Sequence, residues 1–380
     1  MHDVVREMAM WISSDLGCVI QAGVGLREVP HVEDWSSVKK MSLMRNNIEN
    51  ISSSISNKCG KLTTLFLQGN EPLLHISDEF FLSTPMLVVL DISWNGQLVE
   101  LPEEICELVS LRYLDISCTN LKQLPAGFIK LRNLIHLDLE GTRNLESITG
   151  ISNLSSLRVL KLKASGVWLD VSLLEELQCL EHLQVSTGCI KSSLAAEKML
   201  YAPRVVNAIQ EIHFKDMKEE SFRILTLPTM VNLRKLVLYR CEMLEINMER
   251  TTSCNTNQTS PCFPNLTYVY IRQCDGLKDL TWLLFAPNLT TLEVWYSHQI
   301  EDIISKEKAL SMVANEADIT IPFQKLERLY LMALRGLKSI YWNPLPFLCL
   351  KEVDVTRCRN LKKPPVSSIP GTAGIDFALE

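Results

Sequence analysis

The sequence predicts an α/β repeat fold, a leucine-rich-repeat solenoid (horseshoe) of about thirteen irregular repeats preceded by a helical remnant. Three observations carry that expectation. The pattern L-x-x-L-x-L-x-x-N/C recurs thirteen times, starting at Val38, Leu62, Leu87, Leu111, Leu134, Leu157, Leu180, Ile209, Leu233, Leu266, Leu289, Leu326 and Leu350. Aliphatic residues, Met or Phe fill its apolar positions, and successive starts lie mostly 23 to 25 residues apart. Within each copy the x-L-x-L alternation has period two, the mark of a strand buried on one face. In Leu111-Arg-Tyr-Leu114-Asp-Ile116, therefore, Leu114 and Ile116 are assigned to the core, and Tyr113 and Asp115 to the open face.

Taken in chain order, Met1 to Leu16 carries Val4, Val5, Met8, Trp11 and Ile12 on one helical stripe that Gly17 stops. Such a helix needs a partner, and a chain that opens inside this motif reads as a fragment of a longer protein or a truncated gene product. In the repeats, position nine holds Asn46, Asn70, Asn95, Thr119, Thr142 and Ser165 early on, then Cys241, Cys274 and Cys358. A short polar or thiol side chain there can bond backbone groups that the exit from the strand would leave unpaired, which gives those cysteines a structural task. Segments such as Leu101-Pro102-Glu103-Glu104-Ile105 and Leu124-Pro125-Ala126-Gly127-Phe128 then form an outer arc. No repeat can cover its own apolar face, so stability comes from stacking, and rungs about 4.8 Å apart give a ribbon roughly 60 Å long. Three spacings are longer: 29 residues after Leu180, 33 after Leu233 and 37 after Leu289. Met248 to Pro264, rich in Thr, Ser, Asn and Cys, predicts a surface loop; Ser305 to Ile321, with Ala309, Leu310, Met312 and Val313, predicts a short helix.

Composition narrows the function. With 47% hydrophobic and 22% charged residues the chain can bury a large core, and a formal net charge of −6 argues against nucleic acid as the main partner. No run approaches the roughly 18 apolar residues of a membrane span, and no secretion signal opens the chain. On that pattern an intracellular chain is expected. Twelve scattered cysteines without a C-x-x-C pair read as reduced thiols, so neither a disulfide framework nor a metal site is expected. His136, His182 and His213 are assigned to the open face, but no nucleophile signature, paired carboxylates or H-E-x-x-H accompanies them. An enzyme is not expected.

The open face comprises positions two, three, five, seven and eight of every repeat. Trp94, Tyr113, Tyr239, Tyr268, Tyr270, Trp295, Tyr296 and Tyr330 fall on it, joined by Arg272 and, nearby, Arg234, Lys235 and Arg240. Exposed Tyr, Trp and Arg are the side chains that most often anchor protein contacts, so this set is the candidate protein-binding surface. Asp91, Asp115 and Asp138 occupy position five in three consecutive repeats, a ladder of like charges about 5 Å apart. That ladder is the candidate intramolecular contact. A plainer reading stays open for each: aspartate as a solvated repeat position, and aromatics that pack on one another.

The opening residues carry a family resemblance. The run Met1-His2-Asp3-Val-Val-Arg-Glu-Met-Ala-Met-Trp-Ile-Ser-Ser-Asp-Leu16, then Val24-Gly-Leu-Arg-Glu-Val-Pro30 and Trp35, closely resembles the end of the nucleotide-binding region in plant coiled-coil NLR (CC-NB-ARC-LRR) disease resistance proteins. The Leu-x-x-Leu-Asp-x-Ser repeats at Leu87 and Leu111 and the cysteine-ended ones at Cys274 and Cys358 resemble that family's receptor domain. The resemblance implies residues 1–36 as the remnant of the NB-ARC (ARC2) region, 37–363 as the leucine-rich-repeat domain and 364–380 as a tail that matches the usual cap poorly. It also implies that His2 and Asp3 belong to a motif holding bound ADP in the full-length family, whose ADP/ATP site is otherwise built upstream. This chain contains no G-x-x-x-x-G-K-[ST] and is expected to bind no nucleotide alone. Implied partners are a pathogen effector or a guarded host protein, together with the NB-ARC domain in cis. The implied location is cytoplasmic, or at the inner face of the plasma membrane where upstream segments supply an anchor. An adaptor that recruits substrates to a ubiquitin ligase is the alternative function, but Met1 to Gly17 does not look like an F-box helix.

Overall fold

Side chains that alternate between core and open face build the strands of this protein, seen in a computed structural model that describes residues 17–52, 59–218, 223–248, 262–312 and 321–361. The Met1 to Leu16 stripe with His2 and Asp3, most of the Met248 to Pro264 insertion, Val313 and the tail 364–380 lie outside the described residues. The strands are β1 (Cys18–Ile20), β2 (Lys40–Ser42), β3 (Asn50–Ile51), β4 (Thr64–Phe66), β5 (His75–Ile76), β6 (Val89–Asp91), β7 (Tyr113–Asp115), β8 (His136–Asp138), β9 (Val159–Lys161) and β10 (Val185–Ile190), followed by β11 (Ile209–Lys215), β12 (Ile224–Leu227), β13 (Lys235–Tyr239), β14 (Glu245–Met248), β15 (Tyr268–Arg272), β16 (Thr291–Trp295), β17 (Arg328–Met332) and β18 (Glu352–Thr356).

Two compact units divide the chain: residues up to 168 with 175–188, and 169–174 with residues from 189 onward. In the first, parallel neighbours run β1-β2-β4-β6-β7-β8-β9-β10 and a two-stranded ribbon joins β3 to β5. The second runs β11-β13-β15-β16-β17-β18, again parallel, with a ribbon of β12 and β14. Positions four and six are closed from solvent as expected. Leu90, Ile92, Leu114, Ile116, Val269, Ile271, Leu292, Val294, Leu329 and Leu331 are all at most 1% exposed. Each such side chain contributes roughly 1.5–3 kcal/mol of transfer free energy, which makes the stacked core the main stabilising term.

Two rungs depart from the sequence reading. Cys18 pairs with Lys40 and Val19 with Met41, so the sheet starts one rung before Val38 and the boundary drawn between 36 and 37 falls between paired strands. The pattern hid this rung because Gln21 stands at its sixth position. The repeat assigned to start at Leu180 starts instead at Leu183. Val185 pairs with Val159 and Ser186 with Leu160, so Ser186 and Gly188 take the core positions. Leu180 is used up by turns ahead of the strand, where Leu180 N–H donates to Leu177 O at 3.1 Å and Leu183 N–H to Leu180 O at 3.4 Å. His182, expected on a strand, consequently precedes β10 and is exposed.

Between strands, short 3-10 turns at Glu103–Glu107, Ala126–Lys130 and Ile151–Asn153 bury Ile105, Phe128 and Ile151. The spacing after Leu180 holds helices Ser193–Met199 and Pro203–Ala208. The helix expected in the last insertion is present as Lys306–Met312, with Ala309 buried.

Position nine satisfies the backbone as the sequence implied. Asn46 Nδ2 donates to Gln21 O (2.7 Å) and Leu43 O (3.0 Å), while its Oδ1 accepts the N–H groups of Val24, Gly25 and Leu26. Asn70 Nδ2 donates to Leu43 O (3.0 Å) and Leu67 O (2.8 Å), and its Oδ1 accepts from Ile48 N–H (3.2 Å). Thr119 and Thr142 reach only the carbonyl three residues back. Cys241 Sγ–H donates to Phe214 O at 3.4 Å and Cys358 Sγ–H to Leu331 O at 3.6 Å. Cys241, Cys274 and Cys358 are in the reduced, thiol form.

Position eight has a feature the sequence did not disclose. Its backbone is left-handed in rung after rung: Arg45 (φ 55), Trp94 (58), Cys118 (54), Ala164 (55), Asp216 (54), Arg240 (55), Gln273 (55), Tyr296 (54), Ala333 (54) and Arg357 (56), with Gly23, Gly69 and Gly141 at equivalent points. An L-residue there costs about 1–2 kcal/mol, of which glycine's extra chain entropy offsets part. Ala164→Gly is therefore expected to stabilise by about 0.5–1 kcal/mol, read as a raised urea midpoint at unchanged slope. A lowered midpoint would contradict it.

Candidate protein-binding surface

In the first unit, register places Asp91, Asp115, Asp138 and Lys161 side by side on β6 to β9. Each aspartate holds the backbone two residues on: Asp91 Oδ1 accepts from Ser93 N–H (3.0 Å), Asp115 Oδ1 from Ser117 N–H (2.9 Å) and Asp138 Oδ1 from Glu140 N–H (3.0 Å). Position five is thus partly structural. Asp138, expected on an open ladder, is only 5% exposed and pairs with Lys161 Nζ at 2.8 Å. Burial, and then the facing Asp138 and Asp91, hold the Asp115 carboxyl above its usual range.

A raised folded-state pKa means that Asp115 stabilises least when ionised. Its contribution is full below the unfolded value of 3.8 and is lost as pH rises through the folded value. Asp115→Asn keeps the Oδ1 acceptor and removes the charge, so it is expected to raise Tm at neutral pH by roughly 1–3 °C. The gain should vanish below about pH 4, where the wild-type carboxyl is protonated too. A gain independent of pH would show that charge is not its source.

Tyr113 stacks on His136 with ring centroids 4.5 Å apart, and burial holds the His136 imidazole below its ordinary pKa. His213 is buried against Glu211 at 2.7 Å. Trp94, at position eight, stands 59% exposed in the same unit as Tyr113.

The second unit gathers the other seven candidates. Tyr270 meets Trp295 edge to face at 5.3 Å. The Arg272 guanidinium lies 5.8 Å from the Trp295 ring, 5.6 Å from Tyr296 and 6.0 Å from Tyr239, and its Nη1 donates to Tyr270 Oη at 3.5 Å. It is held by ring faces and a phenol; among the described ion pairs none involves it. Arg272 Nε and Trp295 Nε1 are also buried donors without an acceptor among the described residues. Next to this cluster Tyr268 donates to Glu293 Oε1 (2.8 Å) beneath Lys235 Nζ, which is 4.6 Å from its ring. Tyr330 faces Glu293 across the β16–β17 register, and burial with a bond to Glu352 pushes its phenol up to about 12. Arg240 pairs with Asp216 at 3.3 Å, so it is less free than the sequence suggested. The arrangement is a half-buried plate of rings around one cation, suited to packing and cation–π contact.

Arg335, Arg357 and Arg359, which line a cleft at the ends of β16 to β18, were missed by sequence reasoning. Arg335 and Arg359 stand one place beyond the nine-residue pattern, and arginine at that place in two successive repeats was the available signal.

Residues 37–356 match the family described as leucine-rich repeat region. The chain belongs to that family. Among curated relatives of this leucine-rich repeat region, Disease resistance protein RPS5 of Arabidopsis thaliana is 56% identical over 387 residues, covering 100% of this chain and 43% of that protein. Disease resistance protein SUMM2 of the same plant is 55% identical over 376 residues, covering 97% and 41%. The chain spans about two-fifths of the length of these relatives. Among solved structures, the functional domain of InlJ from Listeria monocytogenes superposes with a TM-score of 0.53 at 14% identity, covering 90% of this chain and 68% of that one, a likeness of fold alone. Among the described residues no helix is long and apolar enough to cross a membrane.

Proposed function

We propose that this chain is the protein-recognition and autoinhibitory part of an intracellular plant immune receptor, sensing a pathogen effector or a guarded host protein through the plate around Arg272. The observation that carries this reading is the Arg272 guanidinium, set among Tyr239, Trp295 and Tyr296 and in none of the ion pairs among the described residues. Rings and arginine of this kind anchor protein contacts because they bury much area at small entropic cost. The names of the relatives, disease resistance proteins of a plant, supply the setting.

In the longer receptor, His2 and Asp3 would serve the nucleotide motif, and Asp91 and Asp115 would meet the nucleotide-binding module. Asp138 is left out of that contact because Lys161 covers it. The test uses a full-length receptor carrying this chain. Tyr270→Ala with Trp295→Ala is expected to abolish the triggered response, a loss of about 30-fold or more in partner affinity, while accumulation and Tm stay near wild type. A normal response from a normally accumulating double variant would remove the plate from this role.

A further inference from the structure

Where the chain leaves β16, β17 and β18, position eight is Tyr296, Ala333 and Arg357 in turn, each with left-handed backbone. Two residues further on stand His298, Arg335 and Arg359. Because the middle of the three position-eight side chains is a methyl group, a cleft of about 790 Å³ opens between its larger neighbours, lined by these six residues and Asn360. Its walls are fixed from below. His298 Nδ1 donates to Ala333 O (2.8 Å), Asn360 Nδ2 to Arg335 O (2.7 Å), and Asp275 Oδ1 accepts from His298 N–H (2.7 Å).

The three arginines are exposed, and among the described ion pairs none involves them; Glu301, three residues beyond His298, is taken by Lys338. Three guanidinium groups with no ion pair among the described residues thus converge on one cleft in a chain whose formal net charge is −6. Their planar forks match carboxylates two bonds at a time, and the Tyr296 ring and Ala333 methyl give the cleft an apolar side. A nucleic acid or an anionic membrane would feel the repulsion of the whole acidic molecule. A short acidic segment feels mainly the charges within a Debye length of about 8 Å.

We propose that this cleft binds an acidic peptide segment of a partner protein, with carboxylates held by Arg335, Arg357 and Arg359 and the chain packed on Tyr296. The proposal rests on the protein-recognition reading and names the chemistry of one contact, at a place separate from Tyr270.

The test is fluorescence anisotropy of the full chain with a labelled short peptide of alternating Asp and Ala. Binding is expected, weaker at about 150 mM salt than at about 50 mM, with no binding of the matching Lys and Ala peptide. Combined Arg335→Ala, Arg357→Ala and Arg359→Ala should weaken it about tenfold or more. Ala333→Tyr provides a second variant that keeps every charge, uses a side chain position eight already accepts at Tyr296, and should block the cleft by filling it. Peptide binding by the wild-type chain, alongside a normal triggered response from the receptor carrying Tyr270→Ala with Trp295→Ala, would separate failure of the plate from failure here. No binding by the wild-type chain, or equal binding by both cleft variants, would overturn the proposal. So would competition by inorganic phosphate at concentrations equal to the peptide's, which would mean a free-anion site. Arginine-dependent capture by phosphatidylserine vesicles without peptide binding would assign the cleft to a membrane instead.

Discussion

Asn70→Ala is expected to destabilise the first unit by about 3 kcal/mol. Asn70 is fully buried and ties two rungs together through three hydrogen bonds. After truncation the two carbonyls keep one donor each, Leu43 O from Asn46 and Leu67 O from Asn95. Ile48 N–H loses its Oδ1 acceptor and is left buried without that bond, and a cavity remains where the amide stood. Asn95→Ala should cost less, because Asn95 Oδ1 already lacks a partner and its removal relieves an unmet need. Thr in place of Asn70 should recover part of the loss, since Thr119 and Thr142 make the bond to their own rung at the same position. Urea titration reads all three. A cost below about 1 kcal/mol for Asn70→Ala would show that the ladder contributes little beyond packing.

Gly276→Ala should be comparably severe for the second unit, about 3 kcal/mol or a fall in Tm of roughly 6–12 °C. A Cβ at this site would lie 2.4 Å from Met243 O and 2.6 Å from Glu242 O. Both are main-chain atoms of the preceding rung, so no rotamer change gives relief, and the strands on either side must separate. Gly336 meets the same obstacle, with His298 O at 2.6 Å. Gly96→Ala is the control: nothing lies within 4 Å of its added carbon, and a change within about 0.5 kcal/mol is expected. Equal effects at Gly276 and Gly96 would contradict the argument from close approach.

Much of this was readable in the sequence because the repeat converts position into environment. Leu and Ile at positions four and six had to be core, and Tyr270, Trp295 and Tyr330 on the other side had to be at the surface; burial follows that division. The rung at Leu183 escaped because Ser186 and Gly188 occupy its core positions, where no hydrophobic signal marks the register. The first rung escaped for the same reason at Gln21. What the pattern could not express is what side chains do to one another. Asp91 and Asp115 looked like free charges, yet each binds a main-chain N–H two residues away. Six aromatic candidates converge around Arg272 and Glu293 because strands far apart in sequence are neighbours in register.

The left-handed residue at position eight of most rungs separates two kinds of selection. Its torsion angle is imposed by the stack, since Arg, Trp, Cys, Ala, Asp, Gln and Tyr all adopt nearly the same φ there. Replacing one of these residues by another leaves the backbone bend unchanged and alters only the group offered to a visitor. Evolution could therefore rewrite this row one residue at a time, at near-constant thermodynamic cost, and so change what the protein recognises without having to refold it.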